Sequence, residues 1–207
     1  MDILKYIRLY SLVIMLVNVI LTSYAQDNII EAFDNSYQLE SSGQLRQAAE
    51  KIIQVYQADS YEMNLRLGWL TYQAGNITES INYYNRAISL RPYAIEPRFG
   101  LVLPLSANGL WDETLAQYMR ILEVDPQNTL ANYRVGLIYY NRGQFERAEP
   151  HLDRVVNLYP FDYDAMLLFA WIKYRLGKIR EAKVLFNKVL MHTPGDASAL
   201  EGLSLIK

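Results

Sequence analysis

Two histidines, His151 and His192, are the only side chains in this 207-residue chain with an imidazole that could bind a metal or carry a proton near neutral pH. The chain has no cysteine, and neither histidine has a regularly spaced carboxylate beside it, whereas a useful zinc site needs three or four ligands at set spacings. No glycine-rich phosphate loop, nucleophile elbow or paired-carboxylate arrangement stands out. Catalysis, metal binding and cofactor binding are therefore not expected. The chemistry left is non-covalent, and it lies in aromatic residues that recur every 34 positions. Leu65, Phe99, Tyr133 and Leu167 form one such column, Trp69, Leu103, Leu137 and Trp171 a second, and Tyr72, Ser106, Tyr140 and Tyr174 a third. Tyrosine and tryptophan join an apolar ring to a polar tip, which suits a surface partly wet and partly covered by another molecule.

The elements that must position these rings follow the same period. Gly75, Gly109, Gly143 and Gly177 are 34 residues apart, and so are Pro92, Pro126, Pro160 and Pro194. Ahead of each glycine lies a large apolar residue followed by a smaller one: Leu67-Gly68, Leu101-Val102, Val135-Gly136 and Phe169-Ala170. Such pairs let two helix backbones approach closely. After each glycine, a helical stripe at spacings of three and four runs through Ile77, Trp111, Phe145 and Ile179, then Ser80, Thr114, Ala148 and Ala182, then Tyr84, Tyr118, Leu152 and Phe186, then Ala87, Ile121, Val155 and Val189. The glycine ends a first helix in a left-handed cap, and the proline follows a second helix that it cannot continue. Each unit reads as helix, turn, helix, turn, and a period of this length marks a solenoid whose units bury their apolar faces only against neighbours.

A small residue, an aromatic, Gly, an aromatic, Ala, a large apolar residue and Pro at these offsets resemble the tetratricopeptide repeat, most cleanly in Tyr139, Gly143, Phe145, Ala148 and Pro160. The resemblance implies an all-α fold, a right-handed α-solenoid of tetratricopeptide helix pairs with a C-terminal capping helix. Full repeats read as 61–94, 95–128, 129–162 and 163–196. A degenerate repeat over 26–60 keeps Gly43, Leu45, Ala48, Ile52 and Val55 at the same offsets, without a closing proline. Residues 197–207 read as the capping helix, with Leu200, Leu203 and Ile206 on its apolar face. Pro104 and Pro150 fall inside helices, and each is expected to kink or loosen its helix at a cost of about 3 kcal/mol in an unadapted one.

The first 25 residues differ in kind. Lys5 and Arg8 precede an apolar run over 9–21, followed by Ser23-Tyr24-Ala25. This is the pattern of a secretory signal peptide cleaved after Ala25; the alternative is a short membrane anchor formed by residues 9–21. A cysteine-free exported chain points to the periplasm or cell envelope of a bacterium. The mature domain is then 26–207. A net charge of −2 gives little electrostatic footprint for nucleic acid. Lys173, Arg175, Lys178, Arg180, Lys183 and Lys188 give the last repeat a basic lean, read mostly as a solvated outer face.

In the family, first helices line the concave face. Placed there, Leu65, Trp69, Tyr72, Phe99, Tyr133, Tyr140, Trp171 and Tyr174 would form an aromatic groove for a peptide or helix of a partner protein, with Arg134 and Arg175 able to pair with its carboxylates. Some tetratricopeptide proteins grip a chaperone's C-terminal carboxylate with a fixed set of Lys, Asn and Arg. The matching positions here hold Leu65, Trp69, Gly100, Leu130 and Arg134, so that role is disfavoured. The expected function is a non-catalytic protein-interaction scaffold. The alternatives are a self-assembling structural repeat protein, in which the partner is a second copy, and, less favoured, a small-ligand binder or enzyme.

Overall fold

The computed structural model describes residues 26–206. The apolar run over 9–21 and the expected cleavage point after Ala25 lie outside the described residues. Within them every regular element is a helix. We number these α1 (26–41), α2 (Leu45–Ile53), α3 (Tyr61–Gln73), α4 (Ile77–Leu90), α5 (Glu96–Ala107), α6 (Trp111–Val124), α7 (Thr129–Asn141), α8 (Phe145–Leu158), α9 (Tyr163–Arg175), α10 (Ile179–His192) and α11 (Ala197–Leu205). No described helix is long and apolar enough to cross a membrane. The fold divides into two compact units, one ending at Pro92 and containing α1–α4, the other beginning at Tyr93 and containing α5–α11.

The turns are built as glycine and backbone chemistry require. At the end of α7, Gly143 takes φ +70°, donates its N–H to the Tyr140 carbonyl, and lets Gln144 reach back to Tyr139. Those two hydrogen bonds satisfy carbonyls a helix end leaves open, in a backbone region that any side chain would strain. Helix starts are also periodic. Ser60, Asn128, Asp162 and Asp196 accept a backbone N–H from the third residue onward, each such cap contributing about 1 kcal/mol. The position 34 residues after Ser60 is Ala94, and α5 begins one residue late, after Ile95, with no side-chain cap.

In the second unit each helix packs against the next, and the first helices α7, α9 and α11 also touch in sequence. Ala148, Leu152, Val155, Phe186 and Val189 from the second helices meet Val135, Met166 and Ala170 from the first helices in one continuous core. Burying each large side chain stabilises by about 1.5 to 3 kcal/mol. The small member of such a pair permits this: a Cβ at Gly136 would fall inside the Leu152 side chain, and on α11 one at Gly202 would fall inside the Phe186 ring. The first unit has its own core around Ala48, Ile52, Met63, Leu67 and Leu70.

Several expectations need correction. Trp111 and Ile179, placed in the buried stripe, are respectively 52% and 36% exposed, at the first residue of their helices. Of the expected α11 face, Leu203 and Ile206 pack against the core but Leu200 is exposed, and Ala199 and Gly202 are the buried residues, Gly202 lying against the Phe186 ring. Both α5 and α8 run through their interior prolines. Pro104 is buried and Pro150 exposed.

Candidate functional site

Of the ten expected groove residues, Leu65, Trp69 and Tyr72 lie on α3 in the first unit, and the other seven lie in the second. All the apolar and aromatic members are half-buried, while Arg134 and Arg175 are exposed. On α3, Trp69 and Tyr72 have ring centroids 6.4 Å apart, and the Trp69 indole N–H donates to Glu40 at 2.5 Å. Arg66 donates to the same carboxylate and to Ser36, and it covers the Tyr37 ring at 3.8 Å. Burial pushes the Glu40 carboxyl up, but the hydrogen bonds from Trp69 and Arg66 outweigh it and hold the group below its ordinary value. Trp69 is thus held in place by α1, a partner that no spacing in the sequence announces.

In the second unit, α7 and α9 lie side by side and carry Tyr133, Arg134, Tyr140, Trp171, Tyr174 and Arg175. Trp171 meets Tyr174 edge-on at 5.8 Å and Phe186 at 5.1 Å, and its indole N–H donates to Ser198 of α11. Tyr140 meets Phe145 edge-on at 5.5 Å, and the Arg175 guanidinium lies 5.7 Å from the same ring. Phe99, on α5, packs on Tyr118 at 6.3 Å. Phe99, Tyr140, Trp171 and Tyr174 are half-buried and packed on neighbouring rings, an arrangement that loses little side-chain freedom when a partner covers them. Burial raises the Tyr133 and Tyr118 phenols above their ordinary range. Asp164 and Asp162 add to the rise at Tyr133, and Arg134 opposes it at both phenols.

One further sequence reading changes, that of Lys173. His151 is half-buried against Tyr139, with Nδ1 2.9 Å from Asn132 Oδ1. Burial, then the neighbouring Arg154 and Arg147, lowers its pKa to about 4, so the ring is neutral at pH 7. His192 is exposed at the end of α10. Lys173 is not on a solvated face. It is 8% exposed and joins Glu149 and Glu181, while Lys178 also reaches Glu149. This network ties α8, α9 and α10 together and removes two cations from the basic patch. Among the described residues, no group of three or more His, Cys, Asp or Glu is placed to hold a metal ion.

Antiparallel helix pairs at a 34-residue period, with glycine-closed turns and small-residue contacts, define an α-solenoid repeat protein. The chain belongs to the tetratricopeptide repeat family, whose pattern matches residues 37–95, 101–163 and 139–205. Among curated proteins, it is 32% identical over 95 residues to the TPR repeat-containing thioredoxin TTL4 of Arabidopsis thaliana, covering 46% of this chain and 14% of that protein. It is 31% identical over 114 residues to the human DnaJ homolog subfamily C member 3, covering 55% and 23%. The chain therefore spans less than a quarter of the length of either relative. Among solved structures, a tetratricopeptide repeat protein from Parabacteroides merdae is similar with TM-score 0.74 and 22% identity, over 87% of this chain and 72% of that one. YrrB, a tetratricopeptide protein with an unusual peptide-binding site, gives 0.71 and 16% over 88% and 97%. At these identities the likeness is one of fold.

Proposed function

We propose that this chain is a non-catalytic scaffold that holds a peptide or helix of a partner protein against the first helices of its repeats. The observation that carries this reading is the paired surface of α7 and α9. There Tyr133, Tyr140, Trp171 and Tyr174 present half-buried rings on the same two helices as two exposed guanidiniums, Arg134 and Arg175. Such rings supply contact area at low entropic cost, and the guanidiniums supply charge selection. That YrrB has a peptide-binding site supports the reading by analogy of fold. The N-terminal pattern over 1–25 supports action in a bacterial periplasm or cell envelope, with a membrane-anchored form as the alternative.

Peptides selected by display on the immobilised protein provide the test. Titration should show that Tyr133→Ala combined with Arg175→Glu weakens them at least tenfold, with the variant still fully helical by circular dichroism at the titration temperature. Selected peptides that bind this variant as well as the parent would overturn the reading. Light scattering that shows a concentration-dependent mass, abolished by the same variant, would replace the partner with a second copy of the chain.

A further inference from the structure

Between α5, α6 and α7 the second unit contains a cavity of about 700 Å³. Its walls include Val102 and Leu103 of α5, Trp111 of α6, and Leu137 of α7; Arg134 and Arg142 also line it. The same place one repeat later is filled. There Tyr140 stands where α5 has Ser106, and its ring closes on Phe145, the counterpart of Trp111. Trp171, larger, stands where α7 has Leu137, though its own ring packs on Phe186 of α10. The hollow is thus the loss of the tyrosine ring that the repeat provides at 72, 140 and 174.

Charge decides what could enter. Arg142 pairs with Asp112 at 2.8 Å. Arg134 makes no ion pair among the described residues, and where the next repeat has Leu168 it puts a guanidinium on the cavity wall. The rim is open: Trp111 is 52% exposed and Leu103 36%. An enclosed small-molecule site buries most of its ligand, whereas an open apolar socket beside a groove suits a side chain that projects from a bound chain.

We infer that the socket between α5, α6 and α7 receives an aromatic or branched apolar side chain of the partner polypeptide, and that Arg134 pairs with an acidic residue next to it in that polypeptide. This rests on the groove reading above and names the class of partner: a segment in which an apolar anchor adjoins a carboxylate. The missing tyrosine ring at Ser106 makes the room, and the unpaired guanidinium sets the charge. The remaining walls hold the anchor through dispersion and burial.

The probes are three: a capped peptide with phenylalanine beside glutamate, the same peptide with glutamine, and free 3-phenylpropanoate. Binding to the purified protein is followed by titration and by the Trp111 indole N–H resonance. The glutamate peptide should bind, shift that resonance, and outcompete the other two. Ser106→Tyr, which restores the ring found at 72, 140 and 174, should weaken it at least tenfold. Arg134→Leu should abolish the preference for glutamate over glutamine. Should Ser106→Tyr fail to fold, Leu137→Trp fills the same space. A peptide that binds either filled variant as well as the parent overturns the inference, as does 3-phenylpropanoate binding more than tenfold tighter than the peptide. Tyr133→Ala separates the two levels: loss there with full binding to Ser106→Tyr sinks the socket alone, and indifference to all the variants sinks the groove as well.

Discussion

The stretch from α5 to α7 and the stretch from α7 to α9 are the same fragment of the repeat one period apart, yet one is hollow and the other is packed. The packed copy has a capped first helix, Gly136 against Leu152, and Tyr140 closed on Phe145. The hollow copy has an uncapped first helix with an interior proline, Val102 in the glycine's place, and Ser106 in the tyrosine's. A repeat protein tolerates such a weak unit because its neighbours supply the cooperativity: each interface adds its own increment to an array whose sum is what must stay positive. Departures from the repeat are therefore where function can accumulate at modest cost in stability.

The comparison can be broken at matched positions. Ala148 is fully buried in the packed copy, so Ala148→Leu should destabilise by about 1 to 3 kcal/mol through overcrowding. Thr114, its counterpart beside the cavity, should accept Leu for less than about 1 kcal/mol, because the added carbons have somewhere to go. Equal losses in denaturant titration would show that the hollow is no softer than the core. A smaller effect is expected of Tyr140→Ser, which turns the packed copy into the hollow one. It should cost about 1 to 2 kcal/mol, less than a fully buried aromatic because the ring is half-buried. A crystal structure of that variant should contain a second cavity beside Phe145, and collapse of α9 into the space would show that backbone spacing, not the tyrosine, sets the difference.

The mildest test uses His151, whose counterpart in the hollow copy is Gln117, bonded to Arg98 where His151 meets Asn132, so an imidazole stands there in the packed copy alone. With its folded pKa at about 4 against an ordinary 6.5, the unfolded chain takes up the proton first as pH falls. Stability contributed by the neutral ring is present above pH 6.5 and is lost between there and pH 4. For a ring still partly exposed this amounts to about 1 kcal/mol. His151→Gln should flatten that part of the pH profile, and an unchanged slope would mean the ring is solvated in the folded protein.

Much of this was legible in the chain. Glycine and proline ladders at one period fixed the helix pairs, because each residue type has a backbone consequence that does not depend on neighbours in space. The buried columns through Ser80, Tyr84 and Ala87 and their counterparts were legible for the same reason: a stripe at helical spacing has one face to bury. The periodic caps at Ser60, Asn128, Asp162 and Asp196 were also there to be read, and the gap at Ala94 was the clue that α5 is irregular. The groove residues could be placed on their helices, but which of their rings are braced could not.

What the sequence alone determined, then, is local and periodic: where helices start and stop, and which face of each must meet another. Only the tertiary structure decided that Glu40 and Ser198 hold the indoles of Trp69 and Trp171, that Lys173 is buried between two glutamates, and that Ser106 leaves a cavity rather than a collapsed contact. Those outcomes depend on distances between helices far apart in the chain, and such distances are set by the summed fit of many side chains rather than by any one residue's preference.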